Sequence, residues 1–341
     1  MAPSYRRTLA AALLLGAAAA APLAAQNTPH LSIGGVGFAQ WGAQLDSLSP
    51  TNSFDVTRAY LNFIGTFPDG IQTRITGDIY SDADNAHSYR LKYAWFSWTP
   101  QSSPLTFKLG LLTTPWIDWE EQLWDYRMQG PMAVDRNHFL TSSDFGFNVE
   151  GNIAHEAVDF IATVSDGTGY GAKPSPSPNQ HHLYQARVSV RLLKTDDASR
   201  VGGLRLTAYG QLGAPPGGGL ENRFIGELSY RGKAFLLAGE YAYRSDSTTG
   251  SPKVNGSVVS AYGFYKIPES RVGVIARVDV FQPNTSVSHN ARTEVIGGVS
   301  YQLSPNVRLL ADLDRLSLAT PAGGTAPKSV TQLLFQSQFT F

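Results

Sequence analysis

Cysteine is missing from all 341 residues. That removes disulfides, a thiolate metal site and a cysteine nucleophile from consideration. Beyond the first 25 positions there is also no apolar run approaching the roughly 18 residues that cross a bilayer as a helix. Charge of one sign is not in excess, since 27 basic side chains stand against 27 acidic ones. Nothing in that balance points to nucleic acid as a partner. A chain without cross-links has to be held by burial and by a complete backbone hydrogen-bond ladder.

What is present begins with a leader. Residues 1–25, MAPSYRRTLAAALLLGAAAAAPLAA, carry Arg6 and Arg7, then an Ala/Leu run, then a small-residue Leu-Ala-Ala pattern before Gln26. This is the pattern of a secretory signal peptide. As a membrane anchor the run is too short and too rich in alanine, and no stop-transfer pattern follows it. Residues 26–341 are expected to be one exported domain, with 25 basic and 27 acidic side chains once Arg6 and Arg7 are removed.

Period-two alternation bounded by Gly, Pro, Asn and Ser turns covers that domain. It predicts strands near 31–43, 54–67, 71–81, 87–99, 104–113, 143–153, 156–165, 181–194, 202–213, 221–231, 233–245, 255–267, 271–282, 291–303, 306–319 and 329–341. That makes sixteen, an even number. The connections alternate in length. FPDG, TPQSSP, AHE, GK, PES and SPN follow even-numbered strands, and longer stretches follow odd-numbered ones. KTDDASRVGG, after the eighth strand, is long for its place. Short turns at one rim and long loops at the other predict an all-β, sixteen-stranded antiparallel transmembrane β-barrel, with short periplasmic turns and long extracellular loops.

The strand faces agree with lipid outside. Ala59, Leu61 and Phe63 oppose Arg58, Tyr60 and Asn62, and Val272, Val274, Ala276, Val278 and Val280 oppose Arg271, Arg277 and Asp279. A soluble sandwich would reverse these faces, and alternation alone does not exclude it. Sixteen strands, however, make a barrel too wide for side chains to fill, so a wet, polar lumen is expected. Aromatics near strand ends, at Trp95, Trp98, Tyr241, Tyr243 and Tyr301, are expected to form interfacial girdles.

If the apolar phase meets lipid, the other phase lines the lumen. On the second to fifth strands it carries Arg58, Arg74, Arg90, Lys92 and Lys108 with Asp78 as the one acid, a basic wall. On later strands it mixes signs, with Glu150, Asp159, Arg187, Arg205, Arg223, Glu227, Arg231, Glu240, Arg277, Asp279, Glu294, Arg308, Asp312 and Asp314 among its members, which predicts pairing across strands.

After the fifth strand comes TTPWIDWEEQLWDYRMQGPMAVDRNHF, the core of a long loop over 113–142. Pro115 suits the first position of a helix, and Asp118, Glu120 and Glu121 suit its positive end. Gly130 and Pro131 are expected to stop it. Asp118, Glu120, Glu121, Asp125 and Asp135 against Arg127 and Arg136 give a formal net charge of −3. Trp116, Trp119, Trp124 and Tyr126 are expected to anchor the loop on the wall, with stacking on a sugar as the competing role.

The segments FDVTRAYLNFIGTF with FPDG, LTFKLGLLTTPW leading into the acidic loop, and the terminal FQSQFTF resemble the phosphate-selective porin O and P family over nearly all of residues 31–341, and the general diffusion porins more distantly. The resemblance implies a trimeric barrel in the bacterial outer membrane whose third loop folds into the lumen as a constriction. By that likeness the loop's acids face the basic wall across the narrowest point. Phosphate selectivity in that family is associated with basic residues along the path, and here the third loop is acidic. The expected function is passive, weakly charge-selective diffusion of small hydrophilic solutes and ions without a cofactor. A channel specific for an anion such as phosphate, or for a carbohydrate, is the alternative.

Two other classes compete. A barrel enzyme needs a nucleophile, base and orienter in reach of one another, but His30, His87, His138, His155, His181, His182 and His289 are scattered over turns and strand ends without a motif spacing. Adjacent residues such as His181 and His182 point to opposite strand faces and make a poor metal pair. A closed barrel that binds a partner through PSPSPN and the other loops is separated from a channel by conductance.

Overall fold

The computed structural model describes residues 29–46, 51–81, 86–154, 156–171, 182–214, 218–320, 324 and 328–341. The signal peptide expected at 1–25, His155, His181 and most of the Pro-rich PSPSPN loop lie outside them. Sixteen strands run in order: β1 His30–Gln44, β2 Asn52–Phe67, β3 Ile71–Ser81, β4 His87–Trp98, β5 Leu105–Thr113, β6 Ser143–Ile153, β7 Val158–Ser165, β8 Leu183–Leu193, β9 Gly203–Gly213, β10 Leu220–Arg231, β11 Phe235–Ser247, β12 Val254–Lys266, β13 Val272–Gln282, β14 Arg292–Ser304, β15 Val307–Leu318 and β16 Val330–Thr340. Every end falls within two residues of the boundary read from alternation.

Each strand pairs antiparallel with its sequence neighbours, and β1 closes the sheet on β16 with Val36 opposite Thr340 and Gln44 opposite Gln332. Closure leaves no edge strand with unpaired backbone groups. The seam is covered by the last two aromatic rings. A Cβ on Gly35 would sit 2.4 Å from the Phe341 ring and one on Gly37 2.2 Å from the Phe339 ring, so glycine leaves room for both. The FPDG turn between β2 and β3 bends through Asp69 and Gly70, both left-handed at φ 60° and 74°.

Among the described residues no helix is long and apolar enough to cross a membrane. The strands cross instead. Along β13, Val274, Val278 and Val280 are exposed on the outside while Arg277 and Asp279 are buried inside. Phe224 and Leu228 on β10 and Val259 and Tyr265 on β12 repeat the pattern. Large apolar side chains are exposed in this way on strand after strand, which a surface kept in water avoids, so the outside faces lipid.

Two expectations need correction. Trp98 lies on the outer face, stacked with Phe107 and through it Phe147, but Trp95 faces the lumen with Lys108 Nζ 5.0 Å from its ring. A bulge opposite Thr76 and Gly77 sets Lys92 beyond the regular register and reverses the phase of β4 after it. The lumen is also not wet throughout. Much of it is a dry core between the wall and the loop that follows β5.

Candidate functional site: the inward loop and the basic wall

That loop leaves and re-enters the sheet at one place, since Thr113 pairs with Ser143. The Thr114 N–H donates to Ser142 O at 3.2 Å, and its hydroxyl donates to Thr141 O at 2.5 Å. Between these ends lie α1 (Pro115–Leu123), a single 3-10 turn (Arg127–Gln129) and α2 (Ala133–Arg136). Pro115 takes the first helical position and Asp118 the first turn, as the sequence predicts. The helix stops at Leu123, seven residues before Gly130. Trp124 leaves the helical path to meet the rings of Tyr126 and Tyr262, at 5.7 and 5.8 Å.

The loop lies on the inside of β7 to β16. Trp116, Ile117, Val134 and Phe139 form one apolar cluster with Tyr209, Ile225, Ala242, Val258 and Phe281. Trp119, Leu123, Trp124, Tyr126 and Met132 form another with Leu236, Tyr262, Phe264 and Ile275. Each large side chain removed from water in this way contributes roughly 1.5–3 kcal/mol.

Polar groups on the wall fix the loop's position. Trp116 Nε1 donates to Glu240 at 3.2 Å and Trp119 Nε1 to Glu227 at 3.0 Å. Loop carbonyls accept from wall side chains: Pro115 from Arg187 at 3.1 Å and Met128 from Gln336 at 2.8 Å in buried positions, Pro131 from Arg277 at 3.0 Å and Asp125 from Arg308 at 2.6 Å in partly buried ones. Arg187 and Arg277 are also paired with Asp159 and Asp279. These arginines lie beneath the loop and hold it there; they do not line open space.

The main open space is on the other side, against β1 to β4, with a further cavity of about 360 Å³ between Gln129, Gly130 and Pro131 on the loop and Glu294, Asp314 and Gln332 on β14 to β16. A cavity of about 630 Å³ is bounded by Arg58, Tyr60, Arg90 and Lys92 on the wall and by Glu121, Arg127, Asp135 and Arg136 on the loop. A second of about 110 Å³ is bounded by Asn62, Arg74, Tyr93 and Asp118. Tyr60, Lys92, Glu121 and Arg127 border both, and form the neck between them. Arg127 is paired with Glu121, and its guanidinium lies 5.5 Å from the Tyr60 ring. A larger concavity, about 780 Å³ over Trp41, Val299 and Phe335, lies on the outer face and meets lipid.

The wall carries more positive charge than its own acid neutralises. Asp78, fully buried, accepts from Arg58 Nη1 at 2.8 Å and from Arg90 Nε at 2.9 Å. Lys92 is 3% exposed and donates to Ser142 Oγ at 2.7 Å, with no carboxylate within 4.0 Å among the described residues. Tyr170, from the loop after β7, accepts from Arg90 Nη2 at 2.8 Å and presents its ring to Lys92 at 4.8 Å. Arg74 donates to Asn62 Oδ1 at 2.8 Å and lies 4.7 Å from the Tyr93 ring. Lys108 stands apart from both cavities, paired with Glu150 at 2.6 Å.

The loop's acids divide between the two sides. Asp125 pairs with Arg231 and Lys266 on the far wall, and Asp118 with Arg200. Glu120 is buried against that wall, where loss of water and the nearby Glu240 carboxylate push it well above the ordinary glutamate value. Glu121 and Asp135 border the main cavity. Burial pushes Asp135 up, opposed by Lys92, Arg58 and Arg127. Arg136 is paired with Glu294.

The sequence places Tyr60 on the lumen face, in phase with Arg58, without assigning it to the site. Ser142 and Tyr170 carry no such signal, Tyr170 being a tyrosine in a Gly/Pro-rich loop. The described histidines, His30, His87, His138, His182 and His289, are all exposed, and no group of three or more His, Asp or Glu among the described residues is arranged to hold a metal.

No family model and no curated protein matches the sequence. Solved structures do. An anion-selective porin from Comamonas acidovorans superposes with a TM-score of 0.69 at 12% identity, over 92% of this chain and 100% of that one. OmpT, an outer membrane protein of Vibrio cholerae in its trimer form, gives 0.67 at 14% identity over 92% and 100%. OmpF of Salmonella typhi, in complex with daunomycin, gives 0.67 at 11% over 91% and 97%. At these identities the likeness is one of fold, and the fold is the closed sixteen-stranded antiparallel barrel of the outer-membrane porins.

Proposed function

We propose that the chain is a porin of the bacterial outer membrane, exported by a signal peptide at residues 1–25, that lets small hydrophilic solutes and ions diffuse passively through a lumen narrowed by loop 113–142. The observation that carries this is the pair of cavities, about 630 and 110 Å³, meeting at Tyr60, Lys92, Glu121 and Arg127 between loop and wall. A solute on this route passes charged side chains of both signs, whereas strong charge selectivity comes from rings of one sign. Arg58, Arg90 and Lys92 around Asp78 favour anions, while Glu121 and Asp135 oppose them. The expected selectivity is therefore weak.

A preference for anions such as phosphate is the second reading. The family resemblance supports it, as does Lys92, which has no carboxylate within 4.0 Å among the described residues. A carbohydrate path receives less support, because Trp116, Trp119 and Trp124 are buried and offer no ring face to a sugar. A homotrimer follows from the family likeness. Planar-bilayer recording tests the proposal. Stable conductance with a small reversal potential under a salt gradient is expected, and a barrel that passes no ions would remove the reading.

A further inference from the structure

The connection after β8, residues 194–202, is long for the short-turn rim, and its side chains do not simply hang outward. Val201 is 2% exposed and joins the same apolar cluster as Trp119 and Leu123. Arg200 reaches both the wall and the loop. Its Nε and Nη2 donate to the two oxygens of Asp159 at 2.8 and 3.0 Å, and Nη1 donates to Asp118 Oδ2 on α1 at 2.9 Å. A planar guanidinium with a fixed fork of donors is suited to holding two carboxylates in a set relation.

A second link runs through Arg231. Its Nε donates to Asp197 Oδ2 and its Nη2 to Asp125 Oδ1, both at 2.8 Å, and it also reaches the carbonyls of Gln122 and Leu123 at the negative end of α1. The segment has a fixed shape of its own. The Ser199 N–H donates to Asp197 Oδ1 at 2.8 Å and the Gly202 N–H to Ser199 O at 3.0 Å, and a Cβ on Gly202 would lie 2.1 Å from Asp197 O.

We propose that residues 194–202 are a strap that enters the lumen from the short-turn rim and holds the inward loop, with Arg200 as the positioning residue. By fixing Asp118 it fixes the next turn of α1, and so where Glu121 stands in the neck. The effect on flow rests on the channel reading above; the hold on the loop does not.

The absence of cysteine allows a single nitroxide label at Gln122→Cys, an exposed position on α1, to report loop motion in the refolded full-length protein, beside single-channel recordings. Arg200→Gln removes the bridge from the strap. Asp118→Asn removes it from the loop while leaving Arg200 on Asp159, and Arg200→Lys tests whether charge alone suffices. The expected result is a shift from an immobilised to a mobile spectrum in Arg200→Gln and Asp118→Asn, no further shift in the double variant, partial restoration in Arg200→Lys, and currents that fluctuate between levels. Immobilised spectra in both single variants would overturn the strap, even with conductance intact. Spectra that shift in a protein that passes no current would uphold the strap and remove the channel reading.

Discussion

Trp119 on the inward loop and Glu227 on β10 are 108 positions apart in sequence and share a hydrogen bond of 3.0 Å in a fully buried setting. The other Glu227 oxygen accepts from Tyr262 at 2.6 Å. The loop is thus docked by pairs whose partners have no water to fall back on. Trp119→Phe keeps most of the apolar area and deletes one donor, and leaving a buried carboxylate oxygen unmatched costs about 1–3 kcal/mol. The expected outcome is faster protease cleavage within 113–142 while the barrel stays folded. Cleavage at the wild-type rate would show that the bond does not hold the loop.

Among the described residues Asp78 is the one acid paired with Arg58 and Arg90 on the wall. Asp78→Asn is expected to move the reversal potential under a salt gradient toward anions, at some loss of stability because two cations lose a buried partner. Lys92→Gln is expected to move it the other way. Shifts of the same sign in both variants would contradict the assignment of this wall to the path.

The barrel was legible in the sequence, whereas the route through it was not. Alternation located the strands because the lipid face is apolar at every second residue whatever fills the inside. It could not say that the lumen face of β11 and β12 is also apolar at Leu236, Ala238, Tyr262 and Phe264, which pack under Trp119 and Trp124. In VNGSVVSAYGFYK both phases carry apolar residues, and such a run signals burial on both faces, but it does not say what covers the inner one. The start of α1 was legible because Pro115 and Asp118 act locally. Its end was not, because Trp124 is turned by rings on β12. The loop's formal charge misleads for the same reason, since Asp118 and Asp125 are spent on Arg200, Arg231 and Lys266.

Loop docking should weaken as pH rises. Glu120 ionises near 4.5 in the unfolded chain, but desolvation and Glu240 raise it well above that in place. Above the ordinary value the unfolded state releases a proton that the docked loop keeps, so stability falls with rising pH until the docked Glu120 also ionises. Glu120→Gln, which cannot ionise, is expected to flatten the pH dependence of the protease assay and to protect the loop at alkaline pH. An unchanged pH profile would show that another group is responsible.

The seam between β1 and β16 depends on bare glycine under Phe339. Gly37→Val places a side chain where the ring lies, 2.2 Å from the Cβ position, while nothing lies within 4 Å of a Cβ on Gly226. On unheated gels the Gly37→Val barrel is expected to show less of the compact folded band, with Gly226→Val as wild type. Equal folding of the two variants would mean that Phe339 relocates without loss.

The passage between loop and basic wall is tested most directly by thiol block in a chain that has no cysteine of its own. Thr57 borders the main cavity, whereas Ala242, on the far wall, is fully buried beneath the loop. A sulfonate thiol reagent added to open channels is expected to lower the single-channel current of Thr57→Cys and to leave that of Ala242→Cys unchanged. Block at Ala242→Cys with none at Thr57→Cys would place the path on the wrong side of the loop.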